Sequence, residues 1–234
     1  MSARTAAPTP PATIGIIGAG RYGTALARTA LRAGLVVLMA SSRDPVTLGA
    51  RLSLQAPGAS VVTAAEAARR GDVVVLAVPL RRIRELSPAV FAGRVVIDAT
   101  NHLPVWDGPP PDLGTATTTS EWVQEHLVGA RVVKTLNHLG ADELEDDAAG
   151  TGSTVRRALA VAGDDDGAVA AAMALVERLG FDAVDAGPLA AGAALEPTSH
   201  AFNGWYDRER LFALLTAPGA GPGRERAGPR PAGS

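Results

Sequence analysis

Apolar positions in this chain fall into short runs that alternate with stretches of helical spacing. The first run, Ile14 to Ile17, leads straight into Gly18-Ala19-Gly20-Arg21-Tyr22-Gly23. From Thr24 the apolar residues Ala25, Leu26, Ala30 and Leu31 recur as on one face of a helix, and a second run, Leu35 to Met39, follows. Ser60 to Thr63 reads as a short strand and Ala64 to Arg70 as a short helix with Glu66 early in it. Val73 to Val78 is a continuous β-branched run, as a parallel strand buried on both faces requires. Pro79 stops it, because proline cannot donate to a strand ladder.

Ile83 to Phe91 carries the next helical pattern, interrupted near Ser87-Pro88. Two further strands are expected: Arg94 to Asp98, ending in Ala99-Thr100-Asn101-His102, and Arg131 to Leu136, ending in Asn137-His138. Between them, residues 103–113 hold prolines at 104, 109, 110 and 111 and form a long connection, a candidate lid or specificity loop. A helix then opens at Ser120, read as its cap. Beyond Gly140 the acidic run Asp142 to Asp147 reads as a solvated face or loop. Arg157 to Ala162 is a strand, Ala168 to Leu179 an amphipathic helix, and Phe181 to Asp185 a last strand. Asp164, Asp165 and Asp166 suggest a metal at first sight, but their place before a helix favours amino-terminal capping. Ala190 to Glu196 and Arg208 to Leu215 have helical character.

Alternating strands and helices predict an α/β fold: a Rossmann-type, doubly wound parallel sheet with a small α/β carboxyl-terminal extension. The expected organisation is a disordered arm (1–12), a dinucleotide-binding domain (13–139), a small α/β domain (140–216) and a disordered tail (217–234) rich in Gly, Pro and Arg.

The Gly-x-Gly-x-x-Gly stretch carries the chemistry. Gly18 allows the tight strand-to-helix turn, Gly20 lets a pyrophosphate approach the backbone, and Gly23 lets helix and strand pack closely. The pattern alone is common in a chain with 26 glycines; its place between a strand and a helix makes it a dinucleotide fingerprint. The second strand ends in Ala40-Ser41-Ser42-Arg43 where an NAD site usually has an acid. Hydroxyls and a guanidinium suit a 2′-phosphate instead, so NADP is the expected cofactor. Asp44 comes one residue late and reads as a helix start before Pro45. The strand ends Val78-Pro79, Thr100-Asn101-His102 and Asn137-His138 should share one rim, where open α/β sheets bind ligands. Each Asn or His there reads equally as a loop cap or as a substrate contact.

Composition adds bounds. The 234 residues are 47% hydrophobic and 20% charged, with a formal net charge of −2, so nucleic acid and anionic membrane surfaces are not expected partners. There is no cysteine, which excludes thiolate catalysis and disulfides. The amino terminus has no apolar leader, and a cytoplasmic protein is expected.

These segments resemble the F420-dependent NADP oxidoreductases and their NADPH-dependent F420 reductase relatives. The resemblance rests on Ile14 to Gly23, Ser41-Ser42-Arg43, Leu76-Ala77-Val78-Pro79, Asp98-Ala99-Thr100-Asn101, Lys134-Thr135-Leu136-Asn137, Ala162-Gly163-Asp164-Asp165 and Asp185-Ala186-Gly187-Pro188-Leu189. It implies an often dimeric enzyme that moves a hydride between NADP and the deazaflavin coenzyme F420. It further implies that Ala19, Arg21 and Tyr22 line the pyrophosphate turn and that Ser42 and Arg43 hold the 2′-phosphate. Val78, Pro79, Thr100, Asn101, Asn137 and His138 would line the nicotinamide and deazaflavin cleft. His102, where many relatives have an aromatic residue, and the segment after Pro197 depart from the pattern. Competing readings are a reductase of another small acceptor (a flavin, ferric ion or an imine) and a non-catalytic NADP-sensing module. Dehydrogenases of related fold carry a large all-helical second domain, whereas the residues expected to be ordered after the dinucleotide-binding domain contain strands, which counts against that reading.

Overall fold

In the computed structural model the described residues are 10–41, 45–109, 111–149 and 155–217. Eight strands form one sheet: β1 (Thr13–Ile17), β2 (Val36–Ala40), β3 (Ser60–Val61), β4 (Val73–Leu76), β5 (Val95–Asp98), β6 (Arg131–Lys134), β7 (Ala158–Gly163) and β8 (Asp182–Gly187). Their spatial order is β3-β2-β1-β4-β5-β6-β7-β8. The first six run parallel in the order of a dinucleotide-binding sheet. β7 then joins β6 antiparallel, with Lys134 opposite Ala162, and β8 is parallel to β7. The segment beyond residue 140 therefore extends the first sheet with strands of opposite direction. One consequence matters for function: the start of β7, and not its end, lies on the rim where β1, β4, β5 and β6 finish.

Among the described residues eight α-helices accompany the sheet: α1 (Arg21–Arg32), α2 (Pro45–Gln55), α3 (Ala64–Arg70), α4 (Pro104–Asp107), α5 (Thr119–His126), α6 (Ala141–Asp146), α7 (Asp166–Arg178) and α8 (Arg208–Thr216). Apolar residues of α1, α2, α6 and α7 (Leu26, Leu48, Leu144, Leu175) close over one face. Residues of α3 and α5 and their connections (Ala67, Phe91, Trp122, Val123) close over the other. With both faces covered, Ile14, Ile16, Val74, Val75, Val96 and Ile97 are fully buried, which is why these strands read as unbroken apolar runs.

Several expectations need correction. α1 begins at Arg21, not Thr24, so its first turn belongs to the glycine motif. Residues 80–90 form two short 3-10 helices, Leu80–Glu85 and Pro88–Val90, in place of an interrupted α-helix, because Pro88 cannot supply the N–H that a continuous helix needs. α5 is capped by Thr118, whose hydroxyl accepts the Glu121 N–H at 3.2 Å; Ser120 is turned into the core. The acidic run 142–147 is not a loop but the body of α6, held to α1 by Arg28, whose guanidinium meets both Glu145 oxygens at 2.5 Å. The amino-terminal capping expected of the Asp triplet holds at Asp165, which caps α7 through the Ala168 N–H at 2.7 Å, while Asp164 accepts the Leu189 N–H at 2.9 Å. Among the described residues no helix is long and apolar enough to cross a membrane.

Candidate functional site

β1 passes into α1 through a turn that leaves no room for a side chain at Gly18 or Gly23. Gly18 has φ +125°, and a Cβ there would sit 2.2 Å from the Ala77 carbonyl oxygen. A Cβ on Gly23 would lie 2.0 Å from the Gly18 oxygen, so this glycine packs the helix onto the turn. Gly20 differs: nothing lies within 4 Å of its missing Cβ. No packing requirement excludes a side chain at Gly20. The space belongs to the cleft beside it, which measures about 420 Å³ and is lined by Gly18, Ala19, Gly20, Ser41, Val78 and Pro79.

The helix that starts there is left open. Gly20 offers no side-chain cap, and the first turn of α1 carries no acid. Every other long helix with a described start is satisfied internally: α3 by Thr63 and Glu66, α5 by Thr118 and Glu121, α7 by Asp165 and α8 by Asp207. Free N–H groups and an uncompensated positive dipole end thus face a cleft floored by backbone, which is a binding place for a diphosphate. A dinucleotide fits the donor set: the space at Gly20 admits the phosphates and the α1 amides meet them.

Three groups of predicted residues fare differently. Gly18, Ala19, Gly20, Ser41, Val78 and Pro79 come together in the cleft. Ser42, Arg43 and Asp44 lie outside the described residues. Arg21 and Tyr22 turn away from the cleft. The exposed Arg21 guanidinium pairs with Asp142 on α6, and the Tyr22 hydroxyl donates to the Leu136 carbonyl; burial raises the pKa of that phenol. The cleft is also lined by Arg81, Arg82 and Glu85, which the sequence pattern does not single out; Arg82 and Glu85 pair at 2.8 Å. The signal available was two adjacent arginines directly after the Pro79 that ends β4.

The rim beyond β5 and β6 is closed by polar bonds. Asp98, at the end of β5, is fully buried. Its carboxylate accepts the Thr100 N–H at 2.9 Å, the Thr100 hydroxyl at 2.6 Å, the Ser120 hydroxyl at 2.6 Å and the Lys134 ammonium at 3.1 Å. Burial alone would raise the Asp98 carboxyl, but Lys134, Ser120 and Thr100 together hold it below its ordinary range, so it stays ionised. Lys134, the chain's single lysine, is equally buried and also donates to the Thr100 carbonyl at 2.7 Å. One step outward, Asn101 donates to the Asn137 carbonyl at 2.7 Å. Asn137 donates in turn to Asn101 Oδ1 at 2.9 Å and to the Leu195 carbonyl at 2.7 Å. The two Asn residues are clamped to each other, with Asn101 part-exposed and Asn137 buried.

His138 is not a cleft residue. β6 ends at Lys134, and two residues on Leu136 sits in the left-handed region at φ 63°. The next rung of the β6–β7 ladder is supplied by the His138 ring, whose Nε2 accepts the Ala160 N–H at 3.2 Å. The ring is therefore neutral, with its proton on Nδ1 donating to Asn137 Oδ1 at 3.2 Å. Burial, with the nearby Arg157 and Lys134 cations, pushes its pKa down to about 3. The sequence showed an Asn-His pair at a strand end but not which side of the strand the ring would take.

Against known proteins, residues 13–102 match the model of the family described as NADP oxidoreductase, coenzyme F420-dependent. No curated protein matches the chain. Among solved structures, a hypothetical protein from Sinorhizobium meliloti is 33% identical with a TM-score of 0.73, over 83% of this chain and 95% of that one. A protein from Arthrobacter sp. FB24 assigned as an F420-dependent NADP reductase is 25% identical with a TM-score of 0.62, over 76% of this chain and 86% of that one. A Mycobacterium tuberculosis 3-hydroxyisobutyrate dehydrogenase shares the fold at 20% identity and a TM-score of 0.54, over 77% of this chain and 56% of that one. With the open glycine turn, the uncapped α1 and these matches in agreement, the chain belongs to the F420-dependent NADP oxidoreductase family and is an NAD(P)-dependent oxidoreductase.

Proposed function

We propose that the protein transfers a hydride between NADP(H) and a deazaflavin of the F420 type. The observation that carries the dinucleotide half is the cleft at Gly20, open where a Cβ would stand and facing the uncapped start of α1. Bound there, NADP(H) supplies or accepts the hydride. The chain's own part is to hold and orient. The Gly18–Gly20 backbone and the α1 amides take the diphosphate. Ser42 and Arg43 take the 2′-phosphate. Val78 and Pro79 give the nicotinamide half an apolar wall. The Asn101–Asn137 clamp fixes the rim beside it through two side-chain amides already bonded to each other.

Hydride transfer between two flat rings needs alignment and exclusion of water more than an acid–base pair. The site fits that demand. The histidine with a pushed-down pKa, His138, is buried in the sheet with both ring nitrogens bonded, Nε2 to the Ala160 N–H and Nδ1–H to Asn137, so it does not serve as an acid or base for substrate. The acceptor being a deazaflavin rests on membership of the family and on the Arthrobacter relative. The test is to mix the protein with NADPH and oxidised F420 and follow loss of the deazaflavin absorbance, with NADH as control. Rapid NADPH-specific bleaching is expected. Tight NADPH binding without bleaching would overturn the acceptor while leaving the dinucleotide site in place.

A further inference from the structure

A second cavity of about 440 Å³ lies on the other side of the Leu80–Glu85 segment from the dinucleotide cleft. Its walls are drawn from two segments, Arg81 and Arg84 from the first and His102, Asp107 and Asp112 from the second, together with Trp122 of α5. Arg81 lines both cavities. The size is that of a small-molecule site.

Its charges are arranged unusually. Arg82, between the two arginines, is neutralised by Glu85 at 2.8 Å. Arg84 instead places its guanidinium over the Trp122 ring, 5.3 Å from the centroid, a cation–π contact that restrains it. Asp112 is turned by its own backbone, accepting the Gly114 N–H at 3.0 Å, and is exposed. Asp107 accepts the Leu103 N–H at 2.9 Å, and the His102 Nε2–H donates to the Gly108 carbonyl at 3.1 Å; these two bonds pin this wall. Among the described residues no ion pair joins the arginines to the aspartates across the cavity. Two cations and two anions thus line one space without collapsing onto each other.

We propose that this cavity binds a small zwitterion of the amino-acid type, its carboxylate on Arg81 and Arg84 and its ammonium on Asp112. A simple anion would meet the two aspartates and a simple cation the two arginines; a molecule with both groups satisfies each wall. The guanidinium of Arg84, already placed over Trp122, gives up less freedom on binding than an unrestrained arginine.

The test is calorimetric titration of the full chain with three amino acids of graded length: glycine, 4-aminobutanoate and 6-aminohexanoate. Propionate and propylamine serve as single-charge controls. At least one amino acid is expected to saturate one site per chain, about tenfold or more tighter than either control. Arg84→Met and Asp112→Asn, both at exposed positions, should each weaken that binding about tenfold while the melting curve stays that of the wild type. Failure of all three amino acids to saturate at millimolar concentration overturns the proposal. So does binding no tighter than propionate, or binding that neither substitution weakens. None of these readouts uses turnover or F420, so they leave the hydride-transfer reading untouched.

Discussion

The two halves of the sheet rim are built by opposite means. On the β1–β2–β4 side the site is made by what is missing: no Cβ at Gly18, Gly20 and Gly23, and no cap or acid at the start of α1. On the β5–β6 side every strand end is filled. Asp98, Lys134, Ser120 and Thr100 bond in the interior, Asn101 and Asn137 clamp each other, and His138 replaces a sheet rung. The open half offers donors to a ligand; the closed half has already used its donors on itself. A substitution in the first should therefore cost binding, and one in the second should cost stability.

The largest break is expected at Lys134. Lys134→Met leaves Asp98 ionised and buried without its counter-charge, which should cost about 3–5 kcal/mol in urea unfolding. A loss below about 1 kcal/mol would mean that the closed half is not held by this pair.

A smaller effect comes from His138 and depends on pH. Its folded pKa of about 3 lies below its ordinary value, so between these pH values the unfolded chain binds a proton that the native one refuses. Stability contributed by the neutral ring is full at pH 7 and falls as pH drops. The slope is about 1.4 kcal/mol per unit below roughly pH 6.5, or about 2 kcal/mol lost by pH 5. His138→Gln keeps an acceptor for the Ala160 N–H but cannot titrate. Its unfolding free energy should be nearly flat between pH 7 and 5, and a wild-type slope in the variant would remove His138 from the account.

The smallest effect concerns the open half. Arg43→Ala is expected to weaken NADPH binding about tenfold, roughly 1.4 kcal/mol, and to leave NADH binding unchanged. Equal losses for both nucleotides would sink the 2′-phosphate assignment.

The difference between the halves also explains what the sequence could tell. Gly18, Gly20 and Gly23 are local: six residues and the strand and helix around them suffice to place them, and the structure puts them where the pattern did. The core strands were legible for the same reason, since burial on both faces writes an unbroken apolar run. The closed half depends on partners far apart in sequence. Ser120 reaches Asp98 across 22 positions, Asn137 reaches Leu195 across 58, and Thr119 reaches Glu196 across 77. Ser120 read as a cap and His138 as a cleft residue because no local pattern reports such partners. The acidic run 142–147 read as a solvated face or loop because its partners, Arg21 and Arg28, lie over a hundred residues earlier.

The central claim is that the space at Gly20 is kept for a dinucleotide phosphate and not for packing. Gly20→Val tests it most directly, because a valine Cβ meets no protein atom within 4 Å and the residue's extended backbone (φ −76°, ψ −172°) suits any side chain. The measurement is NADPH titration by calorimetry on wild type and variant, with a melting curve for each. The account predicts an unchanged fold and an affinity at least about a hundredfold lower, roughly 2.7 kcal/mol. Undiminished NADPH binding by the variant would contradict it and leave the glycine turn a purely structural feature.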